Sequence, residues 1–125
     1  MTGKHELHNP HPGRAILELI QYDRNHYNRF DDLSVNEIIH KIDPHQVNWI
    51  NVDGLEETHI LERLQEHFCL HTLLIEDVLN DQRPKAEEYE DYLFFTLKML
   101  YRIDAKHIDY EQISFVVGTN FLVSF

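Results

Sequence analysis

Three apolar runs crowd residues 92–125, and their spacing restricts the fold more than any other feature of the chain. The first, Tyr92-Leu93-Phe94-Phe95-Thr96-Leu97-Lys98-Met99-Leu100-Tyr101, is aromatic-rich and long for a strand. Asp104-Ala105-Lys106-His107 turns it towards residues 112–117, and Gly118-Thr119-Asn120 turns again into Phe121-Leu122-Val123-Ser124-Phe125. Short polar turns between β-prone runs predict an antiparallel meander. The last run stays apolar to Phe125, which leaves no polar cover on a sheet edge. This ending predicts a cut portion of a longer protein, and an exposed last strand would make the chain self-associate.

Upstream, Ala15-Ile16-Leu17-Glu18-Leu19-Ile20-Gln21-Tyr22 is strand-like, and residues 27–31 pair with it across Asp23-Arg24-Asn25-His26 as a first hairpin. Ser34-Val35-Asn36-Glu37 matches a capping box, in which the serine accepts from the backbone three residues on and the glutamate reaches back. A short helix is predicted from there to Lys41, stopping before Pro44. Val47-Asn48-Trp49-Ile50-Asn51-Val52 alternates apolar with polar and ends at Asp53-Gly54, a strand feeding a turn. In residues 57–68, Ile60, Leu61, Leu64 and Phe68 share one helical face, which packs on the sheet, with Glu62, Arg63, Gln65 and Glu66 opposite. A further helix is predicted over residues 72–79, ended by Asn80-Asp81-Gln82-Arg83-Pro84 because proline disfavours helical geometry in the residue before it. These elements predict an α/β (α+β) domain with a mixed, largely antiparallel sheet flanked by helices.

A length of 125 residues with 42% apolar content suits a single core and excludes disorder. Residues 1–13 contain Asn9-Pro10-His11-Pro12-Gly13 and read as a flexible leader, with order beginning near Arg14. The net charge of -11 disfavours nucleic acid and anionic membrane surfaces, and favours cations or basic partners. The N-terminus lacks the apolar core of a signal peptide, so a cytoplasmic setting is the default expectation. The longest charge-free stretch, residues 113–125, is shorter than the roughly 18–20 apolar residues that span a bilayer, so no membrane insertion is expected of these residues. One cysteine, Cys69, forms no internal disulfide and reads as a small buried thiol in the helix.

Candidate chemistry is sparse. His5, His8 and His11 recur every three residues, but a mobile leader has no surrounding structure to fix imidazoles on a metal. His67 and His71 lie four apart, yet the chain lacks His-Glu-x-x-His and a helix break near Leu70 separates them. The four glycines are too scattered for a phosphate loop, so nucleotide binding has no local support. Residues 76–92 carry Glu76, Asp77, Asp81, Glu87, Glu88, Glu90 and Asp91 against Arg83 and Lys85. Carboxylates crowded in this way either form a solvated acidic face or bind a hard divalent ion through oxygen.

Three segments of the sequence closely resemble the cytoplasmic domain of CorA-type magnesium/cobalt transporters. They are Trp49-Ile50-Asn51-Val52-Asp53-Gly54, then Glu66-His67-Phe68-Cys69-Leu70-His71-Thr72-Leu73-Leu74-Ile75-Glu76-Asp77-Val78-Leu79-Asn80, then Gln82-Arg83-Pro84-Lys85-Ala86-Glu87-Glu88-Tyr89. The strand from Tyr92 to Met99 and Glu111-Gln112-Ile113-Ser114-Phe115 continue the likeness, which covers roughly residues 47–125. Thr72 stands where the family usually has proline after the histidine, a departure that touches a helix N-terminus and not a ligand.

The resemblance implies the N-terminal part, residues 14–125, of a regulatory domain at the cytoplasmic face of the cell membrane. In the family this domain belongs to a pentamer whose long stalk helix leads to two membrane helices, and the Gly-Met-Asn selectivity motif follows the first of these. Stalk, pore and motif are absent from the sequence. It further implies that Asp77, with Glu76 beside it, contacts regulatory Mg²⁺, and Co²⁺ by extension, between adjacent subunits. The opposing carboxylate belongs to the stalk, so binding by these residues alone is expected to be weak, on the order of millimolar, or undetectable. No enzyme is implied. The competing readings are a zinc or cobalt transporter of the same superfamily using His67 and His71, a metal-dependent hydrolase using Glu76, Asp77 and His71, and a metal-independent protein-interaction domain.

Overall fold

The computed structural model describes residues 15–125; the leader, with His5, His8 and His11, lies outside them. Ile16–Tyr22 (β1) and Tyr27–Asp31 (β2) form the first hairpin. Its turn is fastened by Asp23, whose carboxylate accepts the backbone N–H groups of Asn25 and His26. These bonds hold the Asp23 carboxyl below its ordinary range. Asp104 does the same in a later turn, accepting from the backbone of Lys106 and His107, and its carboxyl is likewise lowered.

Val35–Lys41 (α1) begins with the anticipated capping box: Glu37 N donates to Ser34 Oγ and Ser34 N donates to Glu37 Oε1. Val47–Asp53 (β3) returns alongside β1. Gly54 follows it with φ 103, a left-handed geometry that costs glycine little because it has no Cβ. Thr58–Phe68 (α2) and Thr72–Leu79 (α3) come next. Between them Cys69 adopts φ 54 as the α2 cap and donates its N–H to the Gln65 carbonyl. Cys69 is exposed, contrary to the buried thiol expected from the sequence. The left-handed residue reverses the chain, so its side chain leaves the helical face that carries Ile60, Leu61 and Leu64 inward.

Lys85–Glu88 (β4), Leu93–Arg102 (β5), Ile108–Val117 (β6) and Phe121–Ser124 (β7) complete the chain. The sheet runs β2-β1-β3-β7-β6-β5-β4 with seven strands. The β3–β7 pair is parallel and the other pairings are antiparallel. The meander thus folds back from the β4 edge until β7 docks beside β3. The last strand is therefore not the exposed edge considered from the sequence, since β3 and β6 occupy both its sides. β2 and β4 are the edges. Lys85-Ala86-Glu87-Glu88 has little strand propensity, and its pairing with β5 makes it a strand; charges suit an edge because they discourage further strands from adding to it.

Register and alternation assign the faces. Leu17, Leu19, Ile50, Val52, Phe94, Val116, Val123 and Phe125 share the face that meets Val35 and Ile38 of α1, Ile60, Leu61 and Leu64 of α2, and Leu74 and Val78 of α3. All three described helices therefore cover one side of the sheet. The expected alternation in β3 is present, and the structure assigns its faces. Asn48 lies on the buried side with Ile50 and Val52, while Val47 and Trp49 face the other way and are half-buried.

Asn48 locks the seam between the two halves of the sheet. Its Nδ2 donates to the carbonyls of Asp43, Gln46 and Asn120, at 2.8, 3.1 and 3.1 Å. Its Oδ1 accepts from Gln21 Nε2 at 2.8 Å and Asp43 N at 3.0 Å. On the opposite face, Trp49 Nε1 donates to Ser124 Oγ, which donates onward to Asn51 Oδ1.

Candidate functional site

The acidic stretch singled out in the sequence wraps the β4 edge of the sheet, with α3 crossing above it. His71 starts α3 as its N-cap, with Nδ1 accepting from Leu73 N at 3.1 Å. The His71 N–H donates to the Tyr92 hydroxyl at 2.9 Å, and Tyr92 stacks on Tyr89 with centroids 4.8 Å apart. At the far end, Gln112 of β6 donates from Nε2 to the carbonyls of Asp77 and Asn80 and accepts from Gln82 N. Carbonyls at a helix C-terminus have no partner within the helix, so this one side chain both satisfies them and fixes α3 over the sheet.

That placement presents Glu76 to solvent and Asp77, half-buried, towards β4. The ammonium of Lys85 lies 2.5 Å from Asp77 Oδ2 and 2.7 Å from Glu87 Oε1. Hydrogen bonds donated to both carboxylates hold Lys85 above its ordinary pKa, and Lys85 in turn holds Glu87 below its own. The Tyr89 hydroxyl donates to the other Glu87 oxygen at 3.3 Å. Burial, and then the Glu87 charge, raise the Tyr89 pKa. Lys85 and Glu87 share a face because a strand repeats every two residues, and their cross-strand partners Thr96 and Phe94 place that face under α3.

The remaining acids scatter. Asp81 accepts from the Tyr110 hydroxyl at 2.8 Å, and the Lys98 ammonium approaches both Asp81 and the Tyr110 ring. Glu88, Glu90 and Asp91 are exposed. Among the described residues no three His, Cys, Asp or Glu side chains converge as a metal-binding group. The trio Glu76, Asp77 and His71 considered for hydrolysis is thus not assembled as a metal centre. His67 and His71 are separated by the left-handed turn at Cys69, and the His71 Nδ1 lone pair is occupied by its cap. Burial and the neighbouring Arg63 lower the His67 pKa.

Sequence reasoning placed Asp77 and Glu76 on a short helix. It missed Lys85 and Gln112 as the groups that set their surroundings. The strand period of Lys85-x-Glu87 would have paired those two, but only the fold brings them beneath Asp77.

Comparison with known proteins defines the class. Residues 44–125 match the family model of the CorA-like Mg²⁺ transporter protein, and the chain belongs to that family. Over 111 residues it is 32% identical to the cobalt/magnesium transport protein CorA of Thermotoga maritima, covering 87% of this chain and 32% of that protein. The fold is shared with full-length CmaX, with TM-score 0.66 at 14% identity over 89% of this chain and 34% of the other. It is also shared with the soluble domain of CorA from Methanocaldococcus jannaschii, with TM-score 0.56 at 16% identity over 85% of this chain and 39% of the other. The 125-residue chain therefore spans about a third of the length of the relatives it matches. No described helix is long and apolar enough to cross a membrane.

Proposed function

We propose that this domain is the cytoplasmic, magnesium-responsive regulatory part of a CorA-type divalent-ion transporter, with stalk and pore supplied by chain outside these residues. The observation that carries the reading is the family match across the segment that holds α3 and β4, joined to the position of Asp77 on α3, where its carboxylate is partly buried and keeps 19% of its side-chain surface exposed. A single hard oxygen donor does not retain Mg²⁺ alone, because the ion keeps several waters and binds through one or two carboxylates. A second carboxylate from an adjacent subunit of a homo-oligomer, a pentamer in the family, completes the site. Glu76, exposed beside it, adds negative potential and a place for the hydration shell.

In this scheme the ion is a bridge. Without it, carboxylates on neighbouring subunits repel; with it, the closed assembly gains, by no more than the difference in ion affinity between closed and open states. Co²⁺ has the same charge and accepts oxygen ligands, so it acts at the same place. In the complete transporter chain, Mg²⁺ at ten times its Kd should stabilise the assembled form by about 1.4 kcal/mol. Sedimentation and a rise in Tm read this directly, and Asp77→Ala should remove most of both effects. If the ion changes neither assembly nor stability, sensing through Asp77 is wrong.

A further inference from the structure

We propose that Lys85 is a built-in competitor for the divalent ion at Asp77, and that Glu87 is the seat to which its ammonium moves when the ion binds. The proposal rests on the reading of Asp77 as an ion contact and adds how that contact is regulated.

The geometry sets the exchange. Lys85 Nζ lies 2.5 Å from Asp77 Oδ2 and 2.7 Å from Glu87 Oε1, so it already occupies the approach to one Asp77 oxygen. A divalent ion binding that oxygen would place two cations within a few Å of each other, which like charges resist strongly at short range. The lysine must leave. It need not enter water alone, because the second carboxylate is already within hydrogen-bond distance. Glu87 is in turn held by the Tyr89 hydroxyl at its other oxygen, so this seat stays in place while the ammonium shifts.

The position of Lys85 gives the exchange a structural consequence. Its link to Asp77 ties β4, the edge strand, to α3. Ion occupancy at Asp77 unties them, so the ion's arrival reaches the sheet edge through one side chain. It also sets the working range: the tie lowers apparent affinity and shifts the response to higher ion concentration, as any competing equilibrium does.

Substitutions of Lys85 and of its second partner, Glu87, then have opposite effects, which a merely structural role for either would not produce. Mn²⁺, a paramagnetic oxygen-seeking ion, can be titrated into the 125-residue chain while broadening of amide resonances is followed across residues 76–88. Lys85→Gln should tighten Asp77-dependent binding about two- to fivefold, the range a partly exposed ion pair supports. Glu87→Gln should weaken it by a similar factor, because the lysine then has only Asp77. Lys85→Arg, which keeps the charge, should stay closer to the parent chain than Lys85→Gln and control for loss of fold. Equal Mn²⁺ affinities in Lys85→Gln, Glu87→Gln and the parent, with binding still abolished by Asp77→Asn, would overturn the competition and leave the Asp77 reading standing. Broadening that Asp77→Asn leaves unchanged would overturn both, and no broadening in either the parent or Lys85→Gln would overturn the competition alone, since the Asp77 reading needs the carboxylate of an adjacent subunit.

Discussion

Asn48→Asp should destabilise the domain by about 3–5 kcal/mol at neutral pH, the cost of an uncompensated buried charge. Asn48 has no exposed surface, and its Nδ2 end faces the carbonyls of Asp43, Gln46 and Asn120. Aspartate has the same shape but presents an oxygen where those acceptors need a donor. Domains of this size hold only about 5–15 kcal/mol in total, so the loss is a large share. The pH dependence follows from the sign of the shift. Burial beside carbonyls raises the new carboxyl's pKa above its unfolded value, so the native state binds more protons and the variant loses stability as pH rises. Lowering the pH from 8 to 5 should therefore recover part of the deficit relative to the parent. Urea unfolding followed by circular dichroism at both values checks this; a deficit below about 1 kcal/mol at pH 8 would show that the seam does not depend on Asn48.

The second large effect separates the two sides of one strand. Phe94 is 0% exposed and packs with the helix layer, whereas Leu97, three residues on in β5, faces the opposite side and is 49% exposed. Phe94→Ala should cost about 3–5 kcal/mol, through lost transfer energy and the cavity left beneath α3. Leu97→Ala should cost under about 1 kcal/mol. Comparable losses from the two substitutions in urea unfolding would contradict the one-sided helix layer.

The capping box at Ser34 and Glu37, the break between α2 and α3, and the meander over the last third were legible because each rests on local chemistry: a cap, a helix end, two polar turns. Strand β4 was not, because Lys85-Ala86-Glu87-Glu88 becomes a strand only by pairing with β5. The strand at β3 was legible, but not which of its faces is covered. A period of two assigns residues to two faces without saying which is covered, and the covered face carries a fully bonded asparagine in place of an apolar residue. Cys69 lies one step past the end of α2, where helical periodicity no longer sets direction.

The candidate site divides in the same way. Asp77 could be singled out from its motif, because a resemblance transfers positions. Its surroundings are a matter of tertiary structure: Lys85 reaches it from a strand invisible to propensity, and Gln112, from the far hairpin, holds the carbonyl of Asp77 itself. Both contacts cross between elements distant in the chain.

The central claim is that Asp77 reports divalent-ion concentration to a transporter pore, and ion flux through the complete transporter in a membrane, measured against Mg²⁺ on the side of this domain, tests it most directly. The account predicts that Asp77→Asn keeps conducting at Mg²⁺ concentrations that close the parent protein. A Mg²⁺ dependence of closure identical in the variant and the parent would contradict it.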